Sequence, residues 1–489
     1  MKGWRVLRSL GIEAAKVLAI ALVLGTSPAS ARPRKAPVPA PAPAPPTPQV
    51  TSAVVPLATK VVVSSFYQPR GATRIWFKPG AGEAASELVA ILKRAQLDGL
   101  NIAPVLSAET EAAIAHARTG DPAAKAAAEG LLSAAWVLYV QALKKPIAGV
   151  EYGDKAIAPK IPAAETILLQ ADAAPSLQQH LRSVAAVNPI YAQLRDAAWT
   201  QMQAGTAIDP RLQSNLERAR ILPASGRFLI VDAATARLWM FEDGRIVDSM
   251  KVIVGRRKTQ TPMIASTIYF TTFNPYWNIP TDVTRRVHAP HLIKGGAKYL
   301  KAKGFEATSG WTDDATVVPA EEIDWKAVAD GSKEVRIRQL PGSNNMMGHY
   351  KFSFPNDQGI YLHDTPMKGL FKKDRRTESL GCVRVEDAKR LAHWLLGKEP
   401  VAPSADPEQH VRLDKSVPVF ITYLTAHVDQ GQLSFAEDIY GLDPTPDTQL
   451  ATAPEAPATE TGATKTPGAT TSLGAAKLPG ATKPSSDGL

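Results

Sequence analysis

The hydrophobic pattern of this 489-residue chain changes period once, near residue 226, and that change limits the fold to a helical block followed by a β-rich one. Residues 50–205 are rich in Ala and Leu at helical spacing. In AASELVAILKRAQLDGL, Leu88, Ile91, Leu92 and Ala95 recur at helical intervals and Gly99 follows as a stop. In DPAAKAAAEGLLSAAWVLYVQALKK, Asp121 precedes Pro122 as N-cap and first helical residue, and a third pattern, APSLQQHLRSVAA, ends before Pro189. His116 and His180 sit on such helices without partner spacing, so they read as surface or satisfied histidines.

After RLQSNLERARILP, a short helix stopped by Pro223, apolar and polar residues alternate through RFLIVDAATARLWMFEDGRIVDSMKVIVG. Asp243-Gly244 marks the turn of a β-hairpin. Further strands are expected in STIYFTTFNP, EVRIRQL, HYKFSFP and GIYLHDT, and residues 283–330 read as short helices inserted between them. The fold class is therefore α+β: an α-helical N-terminal scaffold, 50–205, then a mostly β, sandwich-like block over about 211–425 with a helical insertion.

Both ends differ from this middle. Residues 1–31 carry Lys2, Arg5, Arg8 and Lys16, an apolar run from Val17 to Leu24, and Ala29-Ser30-Ala31, the pattern of a cleavable secretory signal. The run is short of the roughly 20 residues that cross a bilayer, and no later stretch is expected to reach that length, so the mature chain is read as exported without a membrane span. Residues 32–49 form a Pro/Ala-rich linker favouring polyproline II, and 445–489, with GATKTPGATTS and GAAKLPGATKPS, is expected to be a disordered tail.

The net charge of +10 and pI near 9.4 suit work beside anionic material. No Lys/Arg block interleaved with aromatics is present, which argues against nucleic acid, and no H-E-x-x-H or similar spacing calls for a metal or other cofactor. The single cysteine, Cys382, cannot form an internal disulfide. It is either buried and inert or kept free for chemistry. His363 ends a predicted strand 19 residues earlier, an imidazole that could help ionise the thiol, and Gly381 removes a side chain from the approach to it.

The string IYLHDTP followed by SLGCVRV resembles the signature of the L,D-transpeptidases, the YkuD-type catalytic domain. LERARILP, FNPYWNIP and IRQLPGSNNMMGHYKFSFPN extend the resemblance, in order, to the large periplasmic branch of that family over about 211–425, with FYQPRGATRIWF resembling its N-terminal scaffold. The resemblance implies a periplasmic enzyme of peptidoglycan biosynthesis, cell wall biogenesis and cell shape. Cys382 would be the nucleophile on a stem tetrapeptide, releasing D-alanine and forming a 3→3 cross-link. His363 would be the base, oriented by the Asp364 carbonyl, and N–H groups around Gly381 and Cys382 would form the oxyanion hole. Arg384, Tyr276, Trp277 and Asn278 would line the cleft, residues 283–330 would cap it, and carbapenem-type β-lactams would inhibit it.

Two departures accompany the resemblance. The family's histidine before Gly-Cys is Leu380 here, from which altered pH dependence with surviving activity is expected. The peptidoglycan-binding module of large relatives is missing between NPIYAQLRD and RLQSNLERAR. Two rivals share the residues: an L,D-carboxypeptidase or hydrolase using the same Cys-His pair, and a non-catalytic peptidoglycan-binding scaffold.

Overall fold

The computed structural model describes residues 46–71, 74–310 and 315–444. The expected signal segment 1–31, most of the linker 32–49 and the tail 445–489 lie outside the described residues. The last linker residues belong to the folded body, since Pro48 is buried against Gly130.

Eight helices precede the β-rich part: α1 (Leu57–Tyr67), α2 (Ala84–Arg94), α3 (Ala103–Ala117), α4 (Pro122–Leu143), α5 (Ala164–Ala173), α6 (Leu177–Ala186), α7 (Pro189–Gln203) and α8 (Pro210–Ala219). Asp121 caps α4 as its sequence predicts, its carboxylate accepting the N–H groups of Ala123 and Ala124. By length and composition α4 could cross a bilayer, contrary to the expectation that no such stretch follows the signal. Its most apolar window is 83% buried inside the protein, so its apolarity is that of a central core helix.

Among the described residues, two buried carboxylates organise that core. Glu129, fully buried on α4, accepts the N–H groups of Ile75 (2.5 Å), Trp76 (3.1 Å) and Phe77 (3.2 Å) and the Tyr67 hydroxyl (2.9 Å). It thereby satisfies a non-helical stretch that crosses the core with no strand partner. Asp98 plays the corresponding part toward α7, accepting hydroxyl bonds from Tyr139 (2.9 Å) and Tyr191 (2.6 Å).

The scaffold is not purely helical. A short strand, β1 (Val150–Tyr152), leaves it and pairs parallel with a strand of the β-rich part. The remaining strands are β2 (Phe228–Asp232), β3 (Arg237–Glu242), β4 (Arg245–Gly255), β5 (Met263–Phe273), β6 (Trp277–Ile279), β7 (Phe305–Thr308), β8 (Val317–Val318), β9 (Arg336–Gln339), β10 (Tyr350–Ser353), β11 (Tyr361–His363), β12 (Thr377–Ser379), β13 (Val383–Val385), β14 (Gln409–Thr422), β15 (Ala426–Asp429) and β16 (Gln432–Phe435). The β3–β4 hairpin turns on Asp243 and Gly244, both at positive φ, as the sequence predicts.

The main sheet runs β5-β10-β11-β13-β4-β3-β2-β14, and β14 pairs back onto β5, so the expected sandwich is joined at both edges. Inward residues such as Leu229, Val252, Ile268, Phe352, Leu362 and Val383 enclose a core, which α12 (Ala388–Leu396) joins through Leu391 and Leu395. On the opposite face, Phe228, Ile230, Ala265 and Phe420 pack against Tyr191, Leu194 and Leu216 from α7 and α8. The two blocks read from the sequence therefore share a core.

The insertion differs from its sequence reading. Beyond its helices, a single turn α9 (Thr281–Val283), α10 (Ala289–Lys303) and α11 (Trp325–Asp330), it holds β7 and β8, which with β6 and β9 form a separate sheet ordered β6-β9-β7-β8. The segment EVRIRQL, expected in the main β block, supplies β9 of this small sheet. Its own core includes Ile279, Leu292, Phe305, Trp325 and Ile337. A closed apolar face of this kind requires strand partners from both flanks of 283–330, which short-range periodicity does not reveal.

Gly153 fixes how β1 docks. Its N–H donates to the Ala265 carbonyl at 3.0 Å, and a Cβ on it would lie 1.8 Å from the Pro355 carbonyl oxygen. Gly153→Ala is expected to destabilise the protein by about 1–3 kcal/mol, read as a lowered Tm, as for an overpacked core position. Gly369→Ala, where a Cβ meets open space, should leave Tm unchanged.

Candidate active site

Parallel pairing of β11 with β13 aligns Leu362 with Val383 and His363 with Arg384. Antiparallel pairing of β10 with β11 sets Lys351 opposite His363 and Ser353 opposite Tyr361. Leu362, Val383 and Phe352 point into the core, so alternation turns Lys351, Tyr361, His363 and Arg384 to the other face. Cys382 immediately precedes β13, beside Tyr361 in the register, at the rim of this face. It packs partly against the core, and its thiol remains partly exposed and unpaired with any other sulfur.

The loop before Cys382 is held from below. Gly381 has φ +126°, and a Cβ there would meet Ile360 Cδ1 at 3.2 Å, so only glycine fits without strain. Thr261 Oγ1 donates to the Gly381 carbonyl at 2.6 Å while accepting the Gly255 N–H at 2.9 Å. The Gly381 N–H donates to Ser379 Oγ at 3.1 Å. This corrects the expected oxyanion pair: the Gly381 amide is already engaged. The remaining candidate is the Cys382 N–H, on the opposite edge of the peptide plane whose carbonyl Thr261 holds.

His363 is buried, and its Nδ1 lies 2.5 Å from the Asp364 carbonyl oxygen. A carbonyl only accepts, so Nδ1 carries the proton and Nε2 keeps its lone pair. The Asp364 side chain faces elsewhere, accepting the His349 N–H and pairing with Lys368 Nζ at 2.7 Å. Asp364 thus contributes its main-chain oxygen to the imidazole, while its carboxylate secures the turn.

Burial, reinforced by the Arg384 charge, depresses the His363 pKa to about 3 against the opposing bond to Asp364. Burial also raises the Cys382 thiol above its ordinary value, although Tyr361, Lys351 and Arg384 all act to lower it. The resting pair is therefore neutral thiol and neutral imidazole, and a proton must move for the sulfur to react. The thiol donates weakly to the Gly359 carbonyl at 3.7 Å.

Two residues that sequence reasoning missed complete the cluster. Tyr361 approaches the sulfur with both its N–H and its side chain, and its ring centroid is 5.7 Å from that of His363, so it touches both members of the pair. The Lys351 ammonium lies 5.0 Å from the Tyr361 ring centroid. The signal for both was available: Tyr361 stands two residues before His363 in a period-two strand, and Lys351 sits in the neighbouring predicted strand. Arg384 is half-buried, its Nε has no hydrogen-bond partner, and Nη1 contacts Met367 Sδ at 3.8 Å. Lys351 and Arg384 make no ion pair among the described residues, leaving two uncommitted cations beside the thiol.

The aromatic candidates lie elsewhere. Trp277 belongs to β6 and packs edge-on against Phe305, with ring centroids 6.4 Å apart, in the insertion's own core. Asn278 is exposed on the same strand, opposite Arg338. No hydrogen bond or ring contact joins either to Cys382 among the described residues. They were placed in the cleft by motif, but strand pairing within the small sheet uses the Trp277 ring as core. Tyr276 lies nearer: its N–H donates to Glu408 Oε1 at 2.8 Å, the Glu408 charge acts on Tyr361, and its ring carries the Arg338 guanidinium at 4.0 Å.

Comparison with known proteins matches residues 226–402 to the YkuD family, described as the L,D-transpeptidase catalytic domain, and residues 62–197 to a family described as the scaffold domain. Residues 226–402 are a YkuD-type L,D-transpeptidase catalytic domain, preceded by a scaffold domain. A Haemophilus influenzae protein assigned provisionally to the L,D-transpeptidases is 31% identical over 245 residues, covering 48% of each chain. The chain thus spans about half the length of this curated relative. Among solved structures, an L,D-transpeptidase from Mycobacterium smegmatis is 10% identical with TM-score 0.21, covering 41% of this chain and 59% of its own. The ertapenem-acylated catalytic domain from E. faecium is 13% identical with TM-score 0.20, covering 40% and 97% respectively.

The neutral resting pair sets the pH response. Iodoacetamide alkylation of Cys382, followed by intact mass, should rise with a midpoint above the ordinary thiol value of about 8.5 and show no shoulder near pH 6 to 7. Lys351→Met combined with Arg384→Met should move that midpoint further up, and Tyr361→Phe should do the same. A thiolate plateau at pH 6 would contradict the assignment.

His363 also links pH to stability. Its folded pKa, about 3, lies below the ordinary imidazole value of 6.5, so below pH 6.5 the unfolded chain takes up the proton first. Its contribution is complete above that value and is lost as the pH falls toward 3. His363→Gln should flatten that part of the Tm-against-pH curve.

Proposed function

We propose that this protein is a peptidoglycan L,D-transpeptidase that forms 3→3 cross-links through an acyl-enzyme on Cys382. The observation that carries the proposal is the meeting of a partly exposed thiol, an imidazole of fixed tautomer and two unpaired cations on one rim of the sheet. Each matches a requirement of acyl transfer from a substrate bearing carboxylates.

The proton of the Cys382 thiol passes to His363 Nε2 as the sulfur attacks the carbonyl carbon of the third stem residue. The C–N bond to the terminal D-alanine breaks, and the departing amine takes that proton from His363. Negative charge on the carbonyl oxygen falls to the Cys382 N–H, with Arg384 and Lys351 supplying the local positive field. The side-chain amine of a second stem then attacks the thioester and loses its proton to His363 Nε2; as the C–S bond breaks and the new amide forms, His363 returns that proton to the sulfur. The neutral imidazole suits both transfers, because it must accept a proton and release it each cycle.

The same reading places the mature protein in the periplasm, supported by the basic, apolar and small-residue pattern of residues 1–31. It also makes carbapenems acylating inhibitors of Cys382.

The wild-type chain should gain the mass of one meropenem, Cys382→Ala none, and His363→Gln should react at least about a hundredfold more slowly, within the range for general base catalysis. With disaccharide-tetrapeptide fragments, cross-linked dimers and free D-alanine should accumulate together. Tripeptide without dimers would instead identify a carboxypeptidase, and neither product with no carbapenem adduct would identify a non-catalytic binder.

A further inference from the structure

A cavity of about 460 Å³ opens where the helical scaffold meets the β-rich part, and none of its lining residues belongs to the Cys382 cluster. That volume is within the range of ligand pockets. Its walls are aliphatic, including Ile147, Ile157 and Leu222, and its charged residues are Lys144, Lys145, Lys160 and Arg220, with no carboxylate among them.

Arg220 makes this more than a basic surface. Its side chain is 8% exposed, Nη1 donates to the Ala142 carbonyl at 2.7 Å and Nη2 to Glu217 Oε2 at 2.9 Å. Its Nε is buried without a partner. A buried, unspent donor in an arginine fixed on two sides calls for an acceptor. Lys144, Lys145 and Lys160 make no ion pair among the described residues. Lys144 and Lys145 follow the C-terminal end of α4, where positive charge offsets the helix dipole. That role accounts for neither Lys160, on a separate loop, nor the empty volume. Val187, in the wall, adopts φ 59°, a left-handed conformation that a β-branched residue rarely takes and that clusters at ligand clamps.

We propose that this cavity is a second, non-catalytic site for an acidic peptide with small aliphatic side chains, and that its occupant is a peptidoglycan stem peptide. The inference rests on the proposed function for the identity of the ligand. Free carboxylates would meet Arg220 and the lysines, and alanine methyl groups would meet Ile147, Ile157 and Leu222. Such a site would hold the protein on its polymer from the junction of its two parts, in a chain whose sequence shows no separate wall-binding module.

The test uses the full chain carrying Cys382→Ala, so that binding is measured without turnover. Titration with a synthetic stem tetrapeptide by calorimetry should reveal two sites. Adding Lys144→Glu and Lys160→Glu should weaken one of them at least tenfold, whereas Lys398→Glu with Lys415→Glu, an equal charge change at exposed positions of the β-rich part, should leave both intact. In an otherwise wild-type chain, the pocket substitutions should leave meropenem acylation within twofold.

A single site unaffected by the pocket substitutions overturns the inference and leaves the proposed function standing. Equal losses from both charge pairs also overturn it, as a general charge effect. So does binding to phosphatidylglycerol vesicles that the pocket substitutions abolish while tetrapeptide binding stays unchanged. Absence of a meropenem adduct alongside intact two-site binding would remove the enzyme and keep the pocket.

Discussion

The chemistry of this protein depends on one pairing, the parallel alignment of β11 with β13. His363 and Cys382 lie 19 positions apart, and about half of the residues between them are exposed. Only the register Leu362 to Val383 and His363 to Arg384 brings the two side chains to neighbouring strands. A slip of one residue would exchange the faces of every side chain on β13, burying Arg384 and exposing Val383 and Val385. The core residues of these short strands therefore enforce the register: Leu362, Val383 and Val385 are all fully buried. Packing on one face of the sheet specifies chemistry on the other.

The electrostatics of the site follow from its place at the sheet's rim. Burial disfavours charge on both the imidazole and the thiol, and the nearby cations favour only the thiolate. The outcome is a pair held neutral but close to an asymmetric positive field. Charge separation toward thiolate and imidazolium is opposed at rest. A substrate carboxylate entering between Lys351 and Arg384 would cancel part of the field that opposes imidazolium and thereby ease proton transfer to His363. Under the proposed function, binding and activation would in this way be coupled through the same two side chains.

Much of this was legible in the sequence, and the reasons are local. The Asp121 cap, the Asp243-Gly244 turn and the β5, β10 and β11 strands depend on residues within a few positions of one another. His363, Cys382 and the Asp364 carbonyl were legible because a motif compresses their geometry into adjacent strings. The small sheet of the insertion was not, because its partners lie on either side of a 50-residue excursion and are short strands of two to four residues. The packing of Trp277 against Phe305 was illegible for the same reason. The Gly381 amide was misassigned because only coordinates show that Ser379 Oγ takes its hydrogen. Glu129 shows the converse limit: a charged residue on a helix reads as a solvated face until three N–H groups from a distant segment are found bonded to it.

Leu380 draws these points together. It stands where the family signature has a histidine, and its side chain is 55% exposed. The tautomer of His363 is set by Asp364, the nucleophile loop by Thr261 and Ser379, and the thiol's field by Lys351, Arg384 and Tyr361. None of these functions passes through residue 380. An imidazole at so exposed a position would titrate near its ordinary value of about 6.5 and add a charge to the rim in mildly acidic conditions. Leucine removes that titration. Under the proposed function, activity would then follow the Cys382–His363 pair alone, and an apolar surface beside the thiol takes the place of a switchable charge.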